Sequence, residues 1–134
     1  INCMKTLVAA VSALILAACS QGGSSSIATS PESVATAYME SVIRHDNDAM
    51  KKVARSGSQA ESSWASRSAS IERLQADPKA GTVGFKNRGC ADRSDKTVCD
   101  FVITTAEGDS LSLAIHVKKD GSGAPKVEDA LAGR

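Results

Sequence analysis

The sequence has few aromatic residues, little net charge and no apolar run long enough to cross a bilayer. Its aromatic residues are one Trp, one Tyr and two Phe, so a ligand pocket would be lined by aliphatic side chains and would offer little stacking. The formal net charge is +1, which gives no electrostatic reason to expect a nucleic acid partner. The apolar run over residues 7–16 is too short for a bilayer core, which needs about 20 residues. These deficits argue against a transmembrane helix and against binding to nucleic acid.

The N-terminal segment has the layout of an export signal. Lys5 precedes the apolar run, and small residues follow it. The run closes on Leu16-Ala17-Ala18-Cys19, which resembles the lipobox of bacterial lipoproteins. This resemblance implies that Cys19 receives a diacylglyceryl group, that signal peptidase II cuts before it and that the new amine is acylated. An ordinary secretory signal, with Cys19 incidental, is the alternative.

The segment around Cys19 also predicts a location. We predict a signal peptide over residues 1–18, with Met4 as the natural start, and a flexible tether with the lipidated Cys over residues 19–30. Several acyl chains form a stable membrane anchor, whereas one chain would be marginal. Ser20 stands where enteric lipoproteins of the inner membrane carry Asp, so the resemblance implies the outer membrane, with the domain in the periplasm.

The remaining cysteines agree with an exported protein. Cys3 precedes the predicted start and Cys19 is predicted to carry lipid, which leaves Cys90 and Cys99. In an oxidising compartment a single pair nine positions apart most simply forms a disulfide. The alternative is a metal or redox pair, but the spacing matches no zinc or thioredoxin-like motif.

Three helices are predicted in the first half of the domain. Ser30-Pro31-Glu32 has the residues of a helix start, and apolar residues follow at helical spacing up to Ile43. Asp46 or Asn47 caps a short second helix that ends before Gly57. Residues 59–75 form a third helix, although its many serines weaken the pattern.

After Gly81 the apolar pattern changes to alternation, which predicts strands. Alternating segments cover residues 82–86, 98–103 and 111–118, and residues 126–129 form a short closing strand. Helices followed by meandering strands predict an α+β fold. We therefore expect one domain over residues 31–134, with two or three N-terminal helices packed on a curved antiparallel sheet of three to four strands.

Four short segments of the domain carry a resemblance to a known family. They are the helix opening over residues 30–39, the second helix over residues 46–50, and the Lys-Lys-Asp-Gly and Lys-Val-Glu-Asp segments at residues 118–121 and 126–129. These segments resemble those of small bacterial lipoproteins with a nuclear-transport-factor-2-like, or cystatin-like, domain of unknown function. The resemblance implies a cone of helices on a curved sheet. The family's last strand usually carries Trp after the Asp-Gly turn, where this chain has Gly-Ala-Pro. The alternative fold is that of the small assembly-factor lipoproteins of the outer membrane, whose Gly-Met-Thr helix opening is absent from the sequence.

No catalytic motif stands out in the sequence. Some relatives of the cone fold are isomerases or dehydratases, which makes Tyr38 and His116 the residues to weigh. Tyr38 is expected to pack in the core, and His116 lies on the sheet face opposite Leu113 and Ile115. No nucleophile elbow, metal cluster or phosphate loop is present. We therefore expect no enzyme activity, no cofactor and no metal.

The expected function is that of a tethered binding or adaptor module in the cell envelope. The candidate binding loop lies between the two cysteines and carries Asp92, Arg93, Asp95 and Lys96. Its partners would be the membrane, through the lipid anchor, and an unidentified envelope protein. Two alternatives stay open, namely an inhibitor of a lytic enzyme or of phage entry, and a small enzyme that uses the cone pocket.

Overall fold

The computed structural model describes residues 30–132 and contains three helices followed by a four-stranded sheet. The helices are α1 (Pro31–Arg44), α2 (Asn47–Val53) and α3 (Gln59–Gln75). The strands are β1 (Gly84–Arg93), β2 (Lys96–Thr105), β3 (Gly108–Lys119) and β4 (Pro125–Ala132). The α+β fold expected from the sequence is therefore confirmed. Cys19, the predicted signal peptide and most of the tether lie outside the described residues.

Local capping explains where each helix begins. The Ser30 hydroxyl accepts from the Ser33 N–H at 3.1 Å, and the Ser33 hydroxyl accepts from the Ser30 N–H at 3.0 Å. An Asp46 carboxylate oxygen accepts from the Ala49 N–H at 3.1 Å and so caps α2. Between these helices His45 takes the left-handed conformation, with φ of 59°. Of the two caps predicted for the second helix, Asp46 is the one observed, and Asn47 is the first residue of α2.

The sheet is an antiparallel meander in the order β1-β2-β3-β4. Each strand pair contains one shift of register, where an extra residue stands in one strand. The extra residues are Arg88 in β1, Ser110 in β3 and Glu128 in β4. Such bulges bend the strand that carries them and increase its twist. They provide the local geometry for the curved sheet predicted from the sequence.

The core lies between α1, α3 and the inner face of the sheet. Its largest fully buried side chains include Tyr38, Met39, Phe101, Ile103, Leu113 and Ile115. Two polar groups in this core are satisfied, since the Tyr38 hydroxyl donates to the Ala60 carbonyl at 2.7 Å and the Trp64 Nε1–H donates to the Ser41 hydroxyl at 3.0 Å. The core side chains of α1 and α3 and those of the inner sheet face therefore belong to one buried cluster.

The chain after α2 attaches to the outer edge of β4. Ala54 forms a parallel bridge with Val127, and the Arg55 N–H donates to the Val127 carbonyl at 2.9 Å. The Arg55 guanidinium pairs with Glu128, the extra residue in β4. This attachment covers part of a strand edge that would otherwise present unpaired backbone groups.

The first hairpin differs from its prediction. The sequence predicts a binding loop between the two cysteines, but the structure extends β1 to Arg93 and begins β2 at Lys96. The turn contains only Ser94 and Asp95, with Ser94 at φ of 56°. At this end of β1 both faces are exposed, so the sequence carries no alternation to mark the strand.

Candidate binding groove at the hairpin ends

The tips of the β1–β2 and β3–β4 hairpins lie at the same end of the sheet. This follows from the meander, in which every second turn returns to the same side. A groove of about 570 Å³ opens between the tips, and we call it the hairpin-end groove. It is lined by Asp92 and residues 94–97 from one hairpin, by residues 117–119 and Pro125 from the other, and by Pro31 at the start of α1.

Charged side chains connect the two walls of the groove. The Lys118 Nζ lies 3.2 Å from an Asp95 carboxylate oxygen, which joins the tip of one hairpin to the end of the other. This contact with Lys118 lowers the pKa of Asp95. On the first hairpin the Thr97 hydroxyl donates to an Asp92 carboxylate oxygen at 2.9 Å. Because these groups are exposed to solvent, the ion pair orients the side chains more than it stabilises the fold.

The structure brings three of the four predicted binding residues together. Asp92, Asp95 and Lys96 line the hairpin-end groove, whereas Arg93 is exposed and does not line it. Only Asp95 lies in the turn, so the predicted binding loop is mostly strand. Sequence reasoning missed Lys118 and Lys119, although the Asp-Gly turn that follows them marks a hairpin end.

A disulfide supports the first wall of the groove. Cys90 and Cys99 lie directly opposite each other on β1 and β2, with their Cα atoms 4.0 Å apart, and their sulfurs are bonded. Asp92 and Thr97 also lie opposite each other, two cross-strand pairs further toward the turn than the disulfide. It ties the edge strand β1 to the interior strand β2, as the cysteine spacing predicted.

A network on Asp120 holds the second hairpin. One carboxylate oxygen accepts from the Ser122 hydroxyl at 2.6 Å, from the Ser122 N–H at 2.8 Å and from the Ala124 N–H at 3.1 Å. These hydrogen bonds, above all those from Ser122, lower the pKa of Asp120. The turn therefore has a defined shape that orders the chain between Lys119 and Pro125.

The two residues considered for catalysis do not come together. Tyr38 is fully buried in the core, where burial raises its pKa to about 12 and the nearby Ser63 hydroxyl and Arg67 charge oppose that rise. His116 lies on the outer face of the sheet, since its neighbours Ile115 and Val117 face the core. The sheet therefore separates Tyr38 from His116.

The surroundings of His116 are mixed in charge. It lies opposite Val98 on β2 and Asp129 on β4. Burial, reinforced by the Lys96 charge, lowers the pKa of His116, while Asp129 and Asp100 act in the opposite direction. Its Nδ1 atom is buried and has no hydrogen-bond partner among residues 30–132.

Two kinds of site are absent from residues 30–132. No group of three or more His, Cys, Asp or Glu side chains is arranged there to hold a metal ion. In the same part of the chain, no helix has the length and apolar character needed to span a membrane.

Comparison with known proteins identifies the fold. No protein-family model matches the chain, and no curated protein does. A designed protein of the nuclear-transport-factor-2-like fold is similar in structure, with a TM-score of 0.53 and 9% sequence identity. The match covers 76% of this chain and 95% of the designed one. The domain therefore has a nuclear-transport-factor-2-like fold, as its motifs implied.

Proposed function

We propose that this chain is a lipid-anchored lipoprotein of the cell envelope, whose domain acts as a binding or adaptor module through the hairpin-end groove. The observation that carries the proposal is the groove itself, which both hairpin tips build at one end of the sheet. Its first wall is fixed by the Cys90–Cys99 disulfide, and binding residues are commonly presented by loops on a rigid scaffold.

The charges in the groove favour a protein partner. Asp92 and Asp95 lie there with Lys96, Lys118 and Lys119, so both signs of charge are present within one surface. A nucleic acid or an anionic membrane would instead select a uniformly basic surface. Mixed charges suit an envelope protein that presents complementary charges, which provide specificity and faster encounter.

The position of the groove fits a partner close to the membrane. Pro31, the first residue of α1, lines the groove, so the predicted tether attaches beside it. A flexible coil with the length of the predicted tether has an end-to-end distance of roughly 18 Å. The groove would therefore remain near the lipidated Cys19 in any orientation of the domain.

The anchor is tested by the substitution Cys19→Ser in the full-length protein in bacterial cells. Loss of the thiol prevents lipid attachment, so we expect the protein to move from the membrane fraction to the soluble periplasmic fraction and to lose labelling by radioactive palmitate. Ser20→Asp is the matched control, which should keep the lipid and shift the protein to the inner membrane. Unchanged membrane association of Cys19→Ser would contradict the anchor.

The groove is tested by site-specific photocrosslinking in cells that express the full chain. A photoreactive residue at Ser94 should capture one envelope protein of defined mass. The charge reversals Lys118→Glu and Lys119→Glu together should reduce that product at least tenfold, because each surface charge contributes modestly and two are reversed. Lys86 is an exposed lysine on β1 outside the groove, so the control Lys86→Glu should leave the amount of crosslinked product unchanged.

A crosslinked product that survives the double reversal, or that appears equally from exposed Ser62 on α3, would contradict the groove as the binding surface. An inhibitor of a lytic enzyme or of phage entry would use the same surface, and the identity of the captured protein separates that role from an adaptor. The enzyme alternative requires Tyr38 or His116 in an open cone, and the described geometry lends it no support.

A further inference from the structure

A row of cations crosses the sheet at the hairpin ends. Arg93 on β1 lies opposite Lys96 on β2, and Lys118 on β3 lies opposite Lys126 on β4. The pairing of β2 with β3 ends one position away and brings Lys96 beside Lys118. Each strand therefore contributes one cation to a line about 14 Å long. We call Arg93, Lys96, Lys118 and Lys126 the basic row.

The basic row lies on the outer face of the sheet, away from the core. Lys118 follows Val117, which faces the core, and therefore points outward. Lys126 precedes Val127, which also faces the core, and points outward for the same reason. The other two cations share this face through the register, because residues directly opposite each other in a sheet project to the same side.

The charges of the basic row are only partly compensated. Cations directly opposite each other repel, so the row contains two unfavourable cross-strand pairs. Among residues 30–132, Lys118 is the one member of the row in an ion pair, and its partner is Asp95. Hydrogen bonds from Ser122 and, to a smaller extent, the charge of Lys126 lower the pKa of Asp120, so this carboxylate is held within its own turn.

Carboxylates on the outer face stand further from the hairpin ends. Asp129 lies opposite His116, in the next outward-facing set of residues along the strands. Asp100 lies opposite Ala114, one set further still. The outer face is therefore positive at the hairpin ends and carries its negative charge toward the middle of the sheet, which gives the face a direction.

An anionic lipid surface matches both the shape and the position of the row. Lipid phosphates form an extended plane of negative charge, and a straight row of cations meets such a plane along its whole length. The predicted tether joins α1 at Pro31, which lies at the same end of the sheet. Attachment through a short tether makes docking an intramolecular step, so a modest attraction from each cation is sufficient.

We propose that the basic row docks on the anionic phospholipid surface to which Cys19 is predicted to attach the chain. The proposal rests on the lipid anchor of the proposed function and adds an orientation to it. Thr97 lies opposite the core-facing Val117, so Thr97 and its partner Asp92 belong to the inner face. Docking through the outer face therefore leaves this side of the hairpin-end groove open to a protein partner.

The test uses the full lipidated chain in lipid nanodiscs, with a photoreactive residue in place of Ala91. Ala91 is exposed and lies two residues before Arg93 on the same face. Neutral nanodiscs contain phosphatidylcholine alone, and anionic nanodiscs contain a mixture with phosphatidylglycerol. We expect phospholipid adducts, counted by mass spectrometry, to be at least tenfold more frequent in the anionic nanodiscs and to decrease as salt screens the charges.

Paired substitutions locate the docking surface. Arg93→Gln together with Lys126→Gln removes half of the row and changes no residue that lines the groove. The adducts should fall at least fivefold, because each cation near an anionic surface contributes about a fivefold factor. Lys79→Gln together with Lys86→Gln removes the same charge from exposed lysines outside the row and should leave the adducts within about twofold. Trp64 fluorescence confirms that each variant is folded.

Three results would overturn the proposal. They are equal adduct yields in neutral and anionic nanodiscs, an equal fall in the two paired variants, and, in cells, a protein adduct at Ala91 in place of phospholipid. Retention of the chain on neutral nanodiscs reports the anchor alone, so failure of the anchor and failure of docking are distinguishable. Crosslinking of a partner from Ser94 should persist in the Arg93 and Lys126 variant, which separates docking from binding in the groove.

Discussion

Phe101→Ala is expected to lower the free energy of unfolding by about 3–5 kcal/mol. Phe101 is fully buried near the centre of β2, where it lies opposite Asn87 on β1 and Leu113 on β3. Its ring packs edge-on against Phe85, with the centroids 5.7 Å apart. Removing the ring leaves a cavity that the surrounding sheet cannot fill by collapse. Domains of this size have total stabilities of about 5–15 kcal/mol, so the loss is a large fraction.

Phe85→Ala is the matched control for this substitution. Phe85 has the same side chain but is only partly buried on the edge strand β1, so its loss should be clearly smaller. Urea unfolding measures both, because Trp64 is the single tryptophan and lies in the core, which makes its fluorescence a direct probe. An equal cost for the two substitutions would contradict the placement of Phe101 at the centre of the core.

Removing the disulfide by Cys90→Ala together with Cys99→Ala is expected to cost about 2.7 kcal/mol in the chain-entropy model. The bond closes a loop with a sequence separation of 9. It also ties an exposed edge strand to its neighbour, so hydrogen exchange should accelerate most in residues 92–97, and crosslinking from Ser94 should fall. Urea unfolding and exchange measured by mass spectrometry check the two parts.

Reduction of the wild-type protein separates the covalent bond from side-chain packing. Cys99 is fully buried, and its replacement by Ala removes a core contact that reduction leaves in place. The reduced wild type should therefore lose nearly as much stability as the double variant. A midpoint unchanged by reduction would mean that the bond does not constrain the unfolded chain.

Helix positions were predictable because their signals are local. Ser30, Asp46 and Ser58 each accept a hydrogen bond from an N–H three residues further along, so the cap and its partner are close in sequence. The bounds predicted for α3 agree with the structure even though its serines weaken the pattern. Ser68, for example, is buried and its hydroxyl donates to the Val42 carbonyl, so a polar residue occupies a core position.

The second half of β1 was not predictable from alternation. Cys90, Ala91, Asp92 and Arg93 are all exposed, so neither face carries the apolar pattern that marks a half-buried strand. Pairing with β2 and the disulfide hold these residues extended. Both β2 and Cys99 follow the turn at Ser94 and Asp95. Because pairing across this turn leaves no apolar alternation in β1, the sequence pattern alone suggested a longer loop.

The candidate sites depended on contacts between distant parts of the chain. Asp92, Asp95 and Lys96 were foreseen as one cluster because they are neighbours in sequence. Lys118 joins them only because the meander returns β3 to the same end of the sheet.

Local patterns alone establish the α+β class, the helix caps, the alternating core of β3 and the expectation of a lipid anchor at Cys19, because each depends on residues within a few positions of one another. Register, bulges and packing required the folded domain. They decide that Tyr38 and His116 lie on opposite sides of the sheet and that two hairpins form one groove. The reason is that these relations join residues far apart in sequence, and no short-range pattern encodes them.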